Sequence, residues 1–160
     1  MYKVIHDYTE LLAKTVNESG IPKNKILTHI VGLMSFYKNL HTTFAPPIWV
    51  AVNEYSIPGF TLSPVTCQYD LGTLVSEING TDKNQNHFAC TEGYSRGVDG
   101  TFGQANNYFD SMFGKGAALV TVFGWGLEAA SSEFAVSHSK KSPFVLAAKK
   151  WLEIGTVGNK

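Results

Sequence analysis

The chain has 160 residues, with 13 Lys and Arg residues against 13 Asp and Glu residues, so its formal net charge is zero. Charged residues make up 16% of the sequence, well below the roughly 25% of an average soluble domain. Without an excess of positive charge the chain does not attract polyanions over a distance, which excludes nucleic-acid binding through a basic face.

A surface poor in charge has to expose neutral polar or apolar groups instead. Aromatic residues make up 12% of this chain, which also has 15 glycines, and large exposed apolar patches usually mark contact sites. The composition therefore favours a protein partner, a homo-oligomer or a carbohydrate ligand, with an ordinary monomer of low surface charge as the alternative. The length fits one compact domain, 1–160.

The first 40 residues predict a helical hairpin over 3–40. Residues 3–18 repeat apolar side chains at helical spacing, and Gly20 stands where the helix should end. The apolar face of this helix consists of Val4, Ile5, Tyr8, Leu11, Leu12 and Val16. A second helix is predicted over 23–40, and the short Gly-Ile-Pro connection fits two antiparallel helices.

The middle of the chain, 41–114, is rich in aromatic residues and glycine and is predicted to be less regular. After two prolines, the alternation of Ile48, Val50 and Val52 favours a strand-like or irregular stretch at 48–52, and the alternative is a helix begun by proline. A helix is predicted from 66 to Asn79-Gly80. An irregular, glycine-jointed segment over 86–109 and a short aromatic helix over 104–113 follow.

The C-terminal part, 115–155, combines a hydrophobic segment with a helix. The run at 117–123 predicts a strand and 127–136 is helical in character, although 117–136 is compatible with either a buried strand or a core helix. This apolar run reaches only about 14 residues, short of the roughly 20 that a membrane span needs. Ser142 as N-cap and Pro143 at the first helical position predict the last helix. The fold class predicted is mostly α, with five to six helices and a minor β component, and α+β is the alternative.

Two cysteines, Cys67 and Cys90, are a candidate disulfide if the protein leaves the cytosol. Cys67 also heads the helix predicted from 66, where the helix N-terminus would lower the pKa of a thiol. It is therefore a candidate nucleophile, with His87 or His138 as its base, and the structural alternative is a small buried side chain. His87-x-x-Cys90 has metal-ligand spacing, but no second pair accompanies it and no metal site is predicted.

Glu92 is the candidate catalytic carboxylate, because it lies in the glycine-flanked stretch CTEGYSRG. Glycoside hydrolysis uses two carboxylates, and Asp99, or Glu77 or Asp70 on the preceding helix, is the candidate second one. The alternative is a surface ion pair between Glu92 and Arg96. The side chains expected to line a binding surface are Tyr94, Arg96, Phe102, Tyr108 and Trp125.

The leading functional hypothesis is an interaction or assembly protein, for example a subunit of a phage, virus or secretion-type particle, that uses its aromatic- and glycine-rich surface. The alternative is a small hydrolase of cell-wall polysaccharide or peptide, with Glu92 as general acid or Cys67 as nucleophile. No nucleotide-binding fingerprint occurs, so no cofactor is predicted. The first residues lack the apolar core of a signal peptide, which predicts synthesis in the cytosol and leaves later release or assembly into a particle open.

Overall fold

The computed structural model of the chain describes residues 1–30, 46–62, 71–81, 88–93, 100–122 and 139–157. The helices and strands in these residues are, in chain order, α1 (Tyr2–Glu18), β1 (Gly59–Leu62), α2 (Leu71–Thr81), β2 (Phe88–Gly93), α3 (Phe102–Phe113), β3 (Ala117–Val120) and α4 (Pro143–Val157). Two short 3-10 turns, Lys23–Lys25 and Ile48–Ala51, precede β1.

The three strands form a parallel sheet in the order β1-β2-β3, with β2 in the centre. Parallel neighbours need a crossover connection, and α2 and α3 lie in the two crossovers. This alternation of strands and helices defines an α/β arrangement. The predicted mostly α fold of five to six helices is therefore wrong, since the described residues contain four helices and a three-stranded parallel sheet. The α+β alternative fails for the same reason.

The predicted helical hairpin is wrong where the structure describes it. After the 3-10 turn Lys23–Lys25 the chain is extended and runs parallel to β1, with bridges from Leu27 to Ile57 and from Ile30 to Phe60. Ile26, Thr28 and Ile30 are buried while the residues between them are exposed, which is the period of a strand. Because Ile26 and Ile30 are four residues apart, they fit this period and a helix equally well. Residues 31–40 of the predicted second helix lie outside the described residues.

The segment predicted to be irregular, 86–109, contains the central strand of the sheet. Phe88, Ala89 and Cys90 are almost completely buried, because the strand has a neighbour on each side and helices connect the strands. Fully buried parallel strands form continuous apolar runs without alternation, and this run is only three residues long before Thr91 and Glu92. The apolar run covers only half of the six-residue strand, which is why the sequence did not predict it.

Two other segments differ from their predictions. The stretch 48–52, predicted as strand-like or irregular, forms the 3-10 turn Ile48–Ala51 directly after Pro47, which is closer to the alternative of a helix begun by proline. Helix α2 continues to Thr81 instead of stopping at Asn79-Gly80. The two ends differ by one residue, and helix ends commonly vary by one or two residues. Residues 66–70 of that prediction are not among those described.

The remaining described helices confirm their predictions, and the strand predicted over 117–123 is found but ends at Val120. Helix α1 is followed by Gly20 at a φ of 100°, a backbone conformation that glycine adopts without steric cost. Helix α4 begins at Pro143, and the Ser142 hydroxyl accepts a hydrogen bond of 3.2 Å from the Val145 amide, as an N-cap does. Helix α3 covers the predicted 104–113 and begins two residues earlier. The predicted helical stretch 127–136 falls in a part of the chain that is not described.

The core lies between the sheet and helices α2, α3 and α4. Its largest fully buried apolar side chains are Phe60, Phe88, Leu74 and Val50. Aromatic rings join α3 to α4, with 4.9 Å between the ring centroids of Phe109 and Phe144. Within the ranges given above, no helix combines the length and the apolar character needed to cross a bilayer.

Candidate functional sites

Helix α1 lies on the body of the protein through its small and polar side chains. Ala13 is the buried residue of this helix. The His6 Nε2 atom is 3.0 Å from the carbonyl oxygen of Val52, and since a carbonyl only accepts, this nitrogen carries the proton. The His6 ring also contacts the Trp49 ring, with 5.6 Å between centroids. The helix is thus anchored by the hydrogen bond and ring contact of His6, by Ala13, and by Tyr2, which packs against the core.

The apolar face of α1 points away from the body, which is the reverse of the usual arrangement for a surface helix. Six side chains form this face, which we call the outer stripe, and between 37% and 71% of each is exposed. They are Val4, Ile5, Tyr8, Leu11, Leu12 and Val16. Their helical spacing was predicted correctly. The predicted packing of this face against a second helix was wrong where the structure describes the chain, because the segment after α1 is extended. Val4, Tyr8 and Leu11 are the most exposed side chains of the outer stripe.

Two ion pairs lie beside the outer stripe. The Lys3 Nζ atom is 2.6 Å from Asp7 Oδ2, and Lys14 Nζ is 3.8 Å from Glu18 Oε1. The hydrogen bond from the Lys3 ammonium is the largest of the effects that lower the pKa of the Asp7 carboxyl. The flank of the stripe therefore carries alternating charges at neutral pH without net charge.

The predicted catalytic residue Glu92 lies in β2, beside Thr61 of β1. Its Oε2 atom accepts a hydrogen bond of 2.8 Å from the Thr61 hydroxyl. The His29 Nε2 atom is 2.9 Å from the same hydroxyl oxygen and 3.7 Å from Glu92 Oε2. Thr61 is buried, so the Thr61 side chain holds an accessible imidazole and a half-buried carboxylate together.

The chemistry of this cluster is limited to one carboxylate and one imidazole in the described part of the chain. Glu77, a candidate second carboxylate, is exposed on α2, whereas Asp70 and Asp99 are not described. Among the described residues, no three His, Cys, Asp or Glu side chains are grouped closely enough to share a metal ion. The cluster is suited to binding or proton transfer, and the pair of carboxylates remains a prediction.

Cys90 lies in the core beside Tyr108 of α3. Its Sγ atom is 3.6 Å from the Tyr108 hydroxyl oxygen, and that hydroxyl donates a hydrogen bond of 3.3 Å to the Thr121 carbonyl. Burial, reinforced by Cys90, raises the pKa of Tyr108 well above its usual range. Tyr108 is therefore a core residue and not a ring on the surface. The disulfide between Cys90 and Cys67 remains a prediction, since Cys67 lies outside the described residues.

An apolar cavity of about 260 Å³ lies between α3, α4 and the end of β3. Its lining consists of Phe109, Phe113, Val120, Thr121, Val122, Phe144, Ala148, Trp151 and Leu152. The Trp151 indole N–H is buried and has no hydrogen-bond partner in the described structure. The cavity thus combines an apolar lining with one buried N–H donor, that of Trp151, for which no acceptor is described.

Other predicted site residues are not brought together in the described structure. Phe102 is exposed at the start of α3, on its own. The predicted residues that lie outside the described ranges are Cys67, His87, Tyr94, Arg96, Asp99, Trp125 and His138. Sequence reasoning missed His29 and Thr61, because only the pairing of the segment 26–30 with β1 brings them together.

No family model, curated protein or solved structure matches this chain. The protein is therefore classified by its own features alone. It is an α/β protein with a β-α-β-α-β core, and its N-terminal helix exposes its apolar face.

Proposed function

We propose that the protein is an interaction protein that binds a protein partner through the outer stripe of α1. It would act as a building block of a larger assembly, such as a phage, virus or secretion-type particle. One observation carries the proposal, namely that the most apolar face of an amphipathic helix points away from the core.

Free energy favours covering this face. Complete burial of one large aliphatic side chain is worth about 1.5–3 kcal/mol relative to exposure, and the outer stripe holds six large apolar side chains. Together they form a contiguous patch of the order of several hundred Å², the size at which exposed apolar patches are often functional. A partner that covers even half of the stripe would gain substantial binding energy.

The low charge of the whole sequence agrees with this function. Only 16% of the residues are charged and the net charge is zero, so repulsion between copies is weak. The exposed Phe102 belongs to the aromatic surface predicted from sequence, but it lies on α3 and is not needed for the proposal.

The experiment is site-specific photo-cross-linking in the native cell, with a benzophenone amino acid at Leu12 or, as the control, at Ile154. Both side chains are 49% exposed, one on α1 and the other on α4. We expect a polypeptide to be cross-linked from Leu12 and not from Ile154. No adduct at Leu12, or equal adducts at both positions, would contradict the proposal.

A hydrolase is the second candidate, and the contact of Glu92 with Thr61 and His29 supports it. The measurement is hydrolysis of peptidoglycan and of soluble polysaccharides by the purified protein. If Glu92 is the general acid, Glu92→Gln should lower turnover by about 100-fold or more. Glu54→Gln changes an exposed carboxylate elsewhere and should leave the rate unchanged. Equal rates for the two variants would remove Glu92 from the mechanism.

A further inference from the structure

We infer that the partner of the outer stripe is a second copy of this chain, whose α1 lies antiparallel to the first about a two-fold axis. The inference rests on the proposed function and names its partner. It is drawn from the order of charges along α1 and from the area that the stripe offers.

The four charged residues of the two ion pairs, Lys3 with Asp7 and Lys14 with Glu18, all lie on one flank of the outer stripe. Successive residues of an α-helix are rotated by about 100°, which places Lys3, Asp7, Lys14 and Glu18 within about 60° of one another. Along the helix their signs read plus, minus, plus, minus. This flank adjoins the apolar side chains, so it would border any interface formed by the stripe.

An antiparallel pair makes this flank complementary to itself. A two-fold axis perpendicular to the helices brings the same flank of both copies together in opposite directions, as an isologous contact requires. When the axis passes midway between residues 10 and 11 of each helix, Lys14 comes opposite the second copy's Asp7, and Lys3 comes near the second copy's Glu18. The Lys14 Nζ atom also lies 6.0 Å from the Tyr55 ring centroid of its own chain. All four contacts across the axis then join opposite charges. In a parallel pair the same flank of the two copies lies on opposite sides of the interface, so these charges do not meet and give no complementarity.

The same register aligns the apolar side chains. In this register Ile5 lies opposite the second copy's Val16, and Tyr8 lies within one residue, about 1.5 Å along the helix, of the second copy's Leu12. Apolar side chains therefore meet along the whole length of the helix, and the charges border them on one side. This is the pattern of a helix pair with an apolar seam and charged flanks.

The area of the stripe sets the strength of the pair. A helix of 17 residues is about 26 Å long, and its apolar face offers several hundred Å², less than the roughly 800 Å² per partner of a standard stable interface. We therefore expect a weak dimer with a Kd of the order of micromolar, populated at high local concentration. Such a contact suits an assembly that forms when copies accumulate.

The first measurement is sedimentation equilibrium of the full chain over a range of concentrations. We expect a monomer–dimer equilibrium for the wild type and a monomer for Leu12→Glu, with Ile154→Glu as the matched control that still dimerises. Lys14→Glu replaces two attractions per dimer by two repulsions and should raise the Kd about tenfold. Lys149→Glu makes the same charge change on α4 and should leave the Kd unchanged. Circular dichroism verifies that each variant is folded.

The second measurement tests the antiparallel arrangement by exchanging all four charges, in the variant Lys3→Glu, Asp7→Lys, Lys14→Glu and Glu18→Lys. This variant keeps both ion pairs within each helix and the complementarity between identical copies. It should dimerise as well as the wild type but form mixed dimers with it at least about tenfold more weakly. Mixed dimers as stable as the two homodimers would overturn the arrangement.

The outcomes separate the two proposals. A wild type that stays monomeric at every concentration, together with a cross-link from Leu12 to another polypeptide, overturns the second copy and leaves the interaction surface in place. A dimer that Leu12→Glu does not weaken uses another surface and overturns the inference. The absence of any cross-link at Leu12 contradicts the proposed function itself.

Discussion

One group of residues joins three elements of the core at a single point. Gly93 of β2, Tyr108 of α3 and Thr121 after β3 meet where the Tyr108 hydroxyl bonds to the Thr121 carbonyl. A Cβ atom on Gly93 would overlap both the Tyr108 hydroxyl oxygen and that carbonyl oxygen. Close packing therefore explains the glycine at this position. Backbone conformation does not, because among the described glycines only Gly20 and Gly116 have a positive φ.

We expect Gly93→Ala to lower the free energy of unfolding by about 1–3 kcal/mol, because an added methyl group in a closely packed site forces its neighbours apart. Urea denaturation measures the change. Gly103→Ala is the control, because the nearest atom to its new Cβ is 3.9 Å away, and alanine should stabilise α3 by up to about 1 kcal/mol. Tyr108→Phe removes one of the two overlapping atoms, so adding it to Gly93→Ala should recover part of the loss. Equal stability of the two alanine variants would contradict this account of Gly93.

The buried hydroxyl of Tyr108 also makes stability depend on alkaline pH. Its pKa is raised in the folded protein above the ordinary 10.0, so above about pH 10 the unfolded chain loses this proton while the folded one keeps it. The contribution of the protonated Tyr108 hydroxyl to the free energy of unfolding is therefore complete below about pH 10 and is lost as the pH rises above that value. The free energy of unfolding should fall by about 1.4 kcal/mol per pH unit from this group.

The measurement compares the wild type with Tyr108→Phe by urea denaturation from about pH 8 to about pH 11. The difference between the two should be constant up to about pH 9 and then shift in favour of the variant. Tyr8→Phe, at an exposed position and measured in dilute solution where the outer stripe is unpaired, controls for the loss of a hydroxyl. A difference that does not change with pH would mean that Tyr108 is accessible to solvent.

At the scale of the element, helix ends follow local chemistry more closely than helix faces do. Thr101 and Ser142 cap α3 and α4 through their hydroxyls, and both caps can be read from a few neighbouring residues. The direction of a face depends on what lies beside the helix. The pattern of α1 predicts an amphipathic helix correctly, but it does not tell that His6 and Ala13 face the body and that Leu11 faces away.

The cap of α4 gives a prediction for a single element. Ser142→Ala removes the acceptor of the Val145 amide and should lower the free energy of unfolding by about 1 kcal/mol. Ser142→Asp supplies another acceptor and should recover most of this loss. Urea denaturation of the three proteins is the measurement. If the aspartate variant is as unstable as the alanine variant, the hydroxyl has a role other than capping.

The same distinction explains which parts of the fold and site the sequence predicts. Helices α1, α3 and α4 and the strand β3 carry periodicity, caps or β-branched residues within a short window. The extended segment at 26–30 lacks such a signal, because the spacing of Ile26 and Ile30 fits both a strand and a helix. The strand β2 lacks one because its apolar run, Phe88–Cys90, is too short. Glu92 was identified by its neighbours in sequence, but Thr61 and His29 meet it only through the pairing of distant parallel segments.

At the scale of the whole molecule, stability is distributed unevenly between the sheet and α1. Strand β2 is buried between two neighbours, whereas α1 contacts the body mainly at the turn Ile48–Ala51 and at Val52. Elements with few buried apolar contacts open at a lower free energy than the core does. In the monomer α1 should therefore open without disturbing the sheet.

This difference leads to a prediction that connects stability with assembly. Amide hydrogen exchange, followed by mass spectrometry, should be slowest in β2 at every protein concentration, because these amides exchange only when the core unfolds. Exchange in α1 should be fast well below the Kd of the dimer and slow well above it, because pairing of the outer stripes links the opening of α1 to dissociation. Leu12→Glu should abolish this concentration dependence and leave β2 unchanged. An α1 that is as protected as β2 in dilute solution would belong to the cooperative core, and its outer stripe would then be covered within the single chain.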